Sequence, residues 1–133
     1  MTDKKVSQIL TLLKKEYPNA KTALNFSNPV QMLVATILSA QCTDKRVNIV
    51  TEKLFKKYKT INDYAKVSQN EFEQDVKSTG FYRNKSKNII STAKIIVKDF
   101  GGKVPGNMID LLKLPGVARK TANVVLGKTF GKI

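Results

Sequence analysis

The chain has no histidine, a single cysteine and only 10 acidic residues, with just 2 of them after residue 76. Without histidine the commonest metal ligand and the commonest acid–base catalyst are both missing, so no Ser–His or Cys–His triad can be built from these residues and zinc-dependent hydrolysis is not expected. Cys42 stands alone, which rules out an internal disulfide framework. No apolar run approaches the roughly 20 residues of a membrane span. The opening Met-Thr-Asp-Lys-Lys leads into a mixed segment without the apolar stretch a signal peptide needs, so a cytoplasmic location is expected. Any chemistry must rest on lysine, carboxylates, tyrosine or a bound cofactor.

Positive charge is what the chain has in excess. With 24 basic and 10 acidic side chains among 133 residues, the formal net charge is +14. Residues 1–76 carry 12 basic and 8 acidic groups, whereas residues 77–133 carry 12 basic and only 2 acidic ones. Such an imbalance suits a polyanionic partner through phosphate neutralisation and counterion release, and a merely well-solvated surface is the alternative. At 41% hydrophobic residues the chain can bury a real core, and its length suits one domain.

The apolar periodicity is helical throughout, and no β pattern, repeat or low-complexity segment interrupts it. Val6, Ile9, Leu10, Leu13 and Tyr17 mark a first amphipathic helix over Lys4–Tyr17, stopped by Pro18. Asn28-Pro29 is a cap followed by proline at the first helical position, opening a segment from Val30 to Ala40 that is apolar on nearly every face. Such a helix is normally the buried axis of a helical domain. Thr43 caps a helix over Asp44–Tyr58, a short helix follows over Thr60–Ala65, and Ser68 with Glu71 forms a capping-box pattern ahead of Phe72 and Val76. Ser78 to Lys87 reads as a glycine turn with two aromatics and interleaved cations. A further helix spans Asn88–Phe100 and ends at Gly101-Gly102, and Asn107 caps the segment carrying Met108, Leu111 and Leu112.

The organising stretch runs from Leu111 to Leu126. Pro115 and Gly116 break the apolar pattern, and Ala122, Val125 and Leu126 resume it at helical spacing, which reads as helix, tight turn, helix. Arg119 and Lys120 fall in the first turn of the second helix, where free N–H groups and the positive dipole end disfavour further cations. An external anion, most simply a backbone phosphate, relieves that arrangement.

Leu114-Pro115-Gly116-Val117-Ala118 followed by Arg119-Lys120-Thr121-Ala122-Asn123 resembles the helix-hairpin-helix of the endonuclease III family of DNA glycosylases, and Leu38-Ser39-Ala40-Gln41-Cys42-Thr43-Asp44 resembles a second signature of that family. The resemblance implies an all-α fold: an N-terminal helix in residues 1–20 that packs on a cluster domain in full-length relatives, then a six-helix domain over 21–133 with the hairpin at 107–127. Ala118 stands where the hairpin often has a second glycine, so a positive φ there would carry a steric cost.

The resemblance also implies roles. Gln41 fills the gap left by a flipped nucleotide, its amide offering both a donor and an acceptor. A polar residue at a helix end, bonding local backbone, is the alternative. Phe81 wedges toward the base opposite the lesion while Lys85 or Lys87 holds the backbone, although Phe81 and Tyr82 could equally anchor the turn in the core. Leu114, Gly116, Ala118, Arg119 and Thr121 are expected at the DNA backbone. Lys120 is the implied nucleophile: the helix N-terminus and adjacent Arg119 favour its neutral amine, which attacks C1′, expels the base and forms a Schiff base, and β-elimination then nicks the strand. A phosphate-binding lysine without covalent chemistry is the alternative.

The implied function is base excision repair by a DNA glycosylase and AP lyase on oxidised pyrimidines and abasic sites in double-stranded DNA, by a monomer at the nucleoid. The family also has an aspartate further along the chain from its lysine and four cysteines that hold a [4Fe–4S] cluster. Asp99 and Asp110 do not match that aspartate, and the sequence ends at Ile133 before either feature could occur. The resemblance thus implies a C-terminally truncated chain with impaired activity and no cluster of its own. A non-catalytic DNA-binding hairpin module and a basic protein-interaction domain are the competing readings.

Overall fold

Asn28 starts the first described helix as the sequence dictates: its side-chain oxygen accepts from the Gln31 N–H at 2.8 Å, and Pro29 occupies the first helical position. A computed structural model describes residues 24–129, so the helix expected over Lys4–Tyr17 lies outside the described residues. Among the described residues there are seven α-helices, one 3-10 turn and no strand. They are α1 (Pro29–Leu38), α2 (Asp44–Lys57), α3 (Ile61–Lys66), α4 (Gln69–Val76), α5 (Tyr82–Asp99), α6 (Met108–Leu111) and α7 (Arg119–Thr129), with the 3-10 turn Lys77–Thr79 between α4 and α5. None of these helices is long and apolar enough to cross a membrane.

Helix α1 is the buried axis. Met32, Leu33, Val34, Ala35, Ile37 and Leu38 are all buried, and the helix lies against α2, α5 and α7. Burying each large aliphatic side chain contributes about 1.5–3 kcal/mol, so truncating one at the centre costs more than any surface change. Local caps fix where the next helices begin. Thr43 accepts from Arg46 N–H at 3.1 Å, and Thr60 and Asp63 form a reciprocal capping box at α3. Ser68 accepts from Glu71 N–H, but the Glu71 carboxylate turns to Lys57 at 2.9 Å instead of back to the cap.

Within the core, three aromatic rings tie α2, α3 and α4 together. The Tyr58 and Tyr64 rings stack with centroids 5.0 Å apart, and Phe72 meets both edge-on at 5.3 and 6.0 Å. The Tyr58 hydroxyl donates to Asp75, which also accepts from Lys57 at 2.9 Å. Burial and the Asp75 carboxylate together push the Tyr58 hydroxyl pKa above its ordinary value.

The structure departs from the sequence reading at three helix ends. Helix α5 begins at Tyr82, not Asn88, because Phe81 takes the N-cap position in a left-handed conformation without a side-chain cap and Lys85 occupies the buried face of the first turn. Helix α6 is a single turn; beyond it Lys113 N–H reaches Asp110 and Leu114 N–H reaches Leu111, each at 3.1 Å. Helix α7 continues past Gly127 to Thr129. The stop at Gly101-Gly102 is as expected: both have positive φ, and Gly102 N–H closes onto the Ile96 carbonyl at 2.9 Å.

Candidate nucleic-acid interface

Long helix α5 carries the hairpin on one side chain and one close approach. Thr92, 2% exposed, donates its hydroxyl to the Pro115 carbonyl at 2.7 Å. Gly116 has φ +82°, and a Cβ on it would sit 2.9 Å from the Cβ of Asn88. Glycine is therefore required twice at this position, once for its φ and once for space. Leu111, Leu114, Val117 and Ala122 are buried beneath the turn. The Leu114 side chain thus belongs to the core, and its backbone is the part of this residue left to face a ligand.

The chain leaves the turn into α7 through Ala118, whose carbonyl accepts from Ala122 N–H at 2.9 Å as the first helical bond. Alanine has no side-chain acceptor, so the opening N–H groups of α7 receive no side-chain cap from it. Ala118 is not among the residues with positive φ, so replacement of the family's second glycine carries no backbone strain here. Arg119 and Lys120 are exposed in the first turn, Thr121 is half-buried, and no acidic residue stands in that turn. The result is a helix N-terminus with two exposed cations that, among the described residues, form no ion pair.

Two other sequence-predicted residues share an unusual feature. Among the described residues, Gln41 at φ +54° and Phe81 at φ +46° are the only non-glycine residues with positive φ. Side chains with a Cβ pay about 1–2 kcal/mol for that conformation, and it persists where the surroundings over-determine it. Gln41 is exposed in the turn that closes α1, where Cys42 N–H bonds the Ser39 carbonyl at 3.1 Å and Ser39 Oγ bonds the Thr36 carbonyl at 2.7 Å. Phe81 is 63% exposed, so it does not anchor its turn in the core. Tyr82 does: it is half-buried against the core, with Arg83 and Lys77 within 5.6 and 5.8 Å of its ring centroid.

Lys85 departs from its expected place at the surface. It is 5% exposed, and its ammonium donates to the Leu38 and Thr79 carbonyls, each at 2.8 Å. Burial pulls its pKa below the ordinary lysine value, and the nearby Cys42 acts weakly the other way. Lys87 is exposed. Sequence reasoning missed Asn88 and Thr92 altogether. Lys85, Asn88 and Thr92 recur at helical spacing on α5: Lys85 bonds the Leu38 carbonyl, Thr92 bonds the Pro115 carbonyl, and Asn88 lies against Gly116.

Asp110 is engaged elsewhere: it accepts from Asn107 Nδ2 at 2.9 Å and pairs with Lys113 at 3.2 Å, which holds its carboxyl below the usual range. A [4Fe–4S] cluster needs four thiolates, and these 133 residues supply only Cys42, so they do not fit that group.

Residues 34–129 match the family model of the HhH-GPD superfamily base excision DNA repair proteins. Endonuclease III of a Synechocystis species is 55% identical over 127 residues, covering 96% of this chain and 58% of the relative. Endonuclease III of Bacillus subtilis is 50% identical over 128 residues, covering 96% of this chain and 58% of the relative. Among solved structures, a trapped endonuclease III–DNA covalent intermediate in an estranged-adenine complex superposes with a TM-score of 0.84 at 45% identity, covering 98% of this chain and 62% of that one. The chain thus spans less than two thirds of the length of each.

Proposed function

Because the chain belongs to the HhH-GPD superfamily of base excision DNA repair proteins, we propose that it binds double-stranded DNA at an oxidised pyrimidine or abasic site and acts there, as a cytoplasmic monomer, as a DNA glycosylase and AP lyase. One observation carries this reading: an exposed Lys120 follows Arg119 in the first turn of α7, on a hairpin clamped to α5 by Thr92 and Gly116.

In this reading the N–H groups at the start of α7 and the Arg119 guanidinium hold a strand phosphate next to Lys120. Gln41 fills the space vacated when the damaged nucleotide swings out, and Phe81 wedges toward the base opposite the lesion. The Lys120 amine forms a bond to C1′ as the bond to the base breaks, and the base leaves with the electron pair and takes up a proton. The sugar ring opens to a Schiff base, a C2′ proton is removed, and the bond from C3′ to its phosphate oxygen breaks. Water then releases Lys120.

Proton removal in these steps needs a base. Among the described carboxylates, Asp110 is tied to Asn107 and Lys113 and is not free to serve. The exposed pair of cations at the start of α7 also suits a second reading, a non-catalytic helix-hairpin-helix module that binds DNA without opening it.

Borohydride trapping on a duplex with one abasic site separates the two. The chain, its Lys120→Ala variant and a form extended through any following coding segment are compared. A Lys120-dependent adduct supports the lyase reading, whereas binding without adduct from any form supports the module.

A further inference from the structure

We propose that Lys85 is a positioning residue that fastens the Gln41 turn to the Phe81 turn, so that both side chains are held ready to enter the duplex as one unit. The inference rests on the reading of Gln41 and Phe81 as inserting residues, and it assigns how they are kept in place.

Lys85 makes three hydrogen bonds to the two turns. Its backbone N–H donates to the Phe81 carbonyl at 3.1 Å, and its ammonium donates to Thr79 on one side and Leu38 on the other, each at 2.8 Å. Leu38 is the last residue of α1, at the mouth of the Gln41 turn, and Thr79 ends the 3-10 turn that leads into Phe81. Leu38 also stands among the carbonyls that α1 leaves unpaired at its C-terminal end, where the dipole favours a cation. An ammonium suits the task because it has three donors and no acceptor, so one group satisfies carbonyls from two elements at once.

A buried cation usually has a carboxylate partner, and among the described residues Lys85 forms no ion pair. Methionine would fill the same volume without the desolvation cost, so stability alone does not explain a lysine here. Geometry does. The turns it joins contain the only two non-glycine left-handed residues among those described. Each such residue relaxes unless its neighbours hold it, and Lys85 reaches both turns. Order established in the free protein is order that DNA binding need not supply.

The test compares binding to a duplex holding a tetrahydrofuran abasic analogue with binding to the undamaged duplex, for the wild-type chain, Lys85→Met and Lys85→Arg. Lys85→Met is expected to lower affinity for the abasic duplex about tenfold while leaving undamaged-duplex affinity, which the hairpin supplies, nearly unchanged. Lys85→Arg retains donors for both carbonyls and is expected to restore part of the preference. In a Gln41→Ala, Phe81→Ala background the Lys85→Met loss is expected to vanish, a coupling that a merely structural lysine would not produce. Should Lys85→Met not fold, Lys85→Gln takes its place in the same comparison. A preference kept intact in the folded variant, or a loss equally large in the double-alanine background, overturns the role of Lys85 alone. A wild-type chain with no preference for the abasic duplex overturns the functional reading and this inference with it.

Discussion

The Thr92 hydroxyl donates to the Pro115 carbonyl at 2.7 Å, joining the middle of α5 to the hairpin turn across 23 positions of sequence. Because Thr92 is buried, removing its donor leaves that carbonyl without the partner it has here. Thr92→Val, which keeps the shape, is expected to cost about 1–2 kcal/mol in urea unfolding. It should also weaken duplex binding, since the turn loses its tether. Thr92→Ser keeps the hydroxyl and is expected to retain most of both properties. Equal stability of the valine and threonine forms would show that the bond does not hold the hairpin.

Gly80 and Gly116 separate conformation from crowding. Their φ values are +78° and +82°, yet a Cβ on Gly80 meets nothing within 4 Å while one on Gly116 comes within 2.9 Å of Asn88 Cβ. Gly80, at φ +78° and ψ 159°, sits in a region essentially reserved for glycine, so alanine there is expected to cost about 1–3 kcal/mol from backbone strain alone. At Gly116 a Cβ must also force α5 and the hairpin apart, so Gly116→Ala is expected to add about 1–3 kcal/mol of crowding to its own conformational cost. Urea midpoints check both, and the truncation Asn88→Ala should relieve the Gly116→Ala loss but not the Gly80→Ala loss; no relief at Gly116 would rule out the close approach.

Helix starts were legible because caps are local. Asn28, Thr43, Thr60, Ser68 and Asn107 each accept from an N–H three residues on, a relation a short window of sequence contains. The first turns of α5 were not legible, since that helix has no side-chain cap and its buried face there holds Lys85 and Ser86, which read as polar. At the candidate interface, Gln41, Phe81 and the hairpin stand out by motif. Lys85 reads as a surface cation because its bond to Leu38 spans 47 positions, and no local pattern carries that information. Leu114 shows the converse limit: the motif names it as a hairpin residue, and only the packing shows that its side chain lies in the core.

Asp63 gives α3 an acid-sensitive start. Its carboxylate accepts from Lys59 N–H at 2.8 Å and Thr60 N–H at 3.1 Å, and these bonds lower its pKa in the folded chain. A carboxyl whose folded pKa is depressed contributes stability above its unfolded pKa, near 4, and loses it as pH falls through the lower folded value. The expected result is a fall in urea midpoint below about pH 4, smaller in Asp63→Asn than in the wild-type chain. Asp110 is lowered too, by Asn107 and Lys113, so part of the fall should survive in the Asp63 variant. A titration of the Asp63 carboxyl at an ordinary value would contradict the assignment.

Arg119 and Lys120 are adjacent and both exposed, but the proposed chemistry gives them different work, and salt dependence can tell them apart. If Arg119 neutralises a phosphate, Arg119→Ala should reduce the slope of log affinity against log salt by about 0.9, the share of a single neutralised phosphate. At low salt and saturating protein, that variant should still yield the borohydride-trapped adduct, because the amine remains. Lys120→Ala should do the reverse, abolishing the adduct at every salt concentration while duplex affinity falls only modestly. The two outcomes are linked by position: one residue's separation along the opening turn of α7 lets the guanidinium grip the strand while the amine reaches for the sugar. Should both variants lose affinity alike, with neither affecting an adduct, the pair would be two phosphate-binding cations and the hairpin a binding module only.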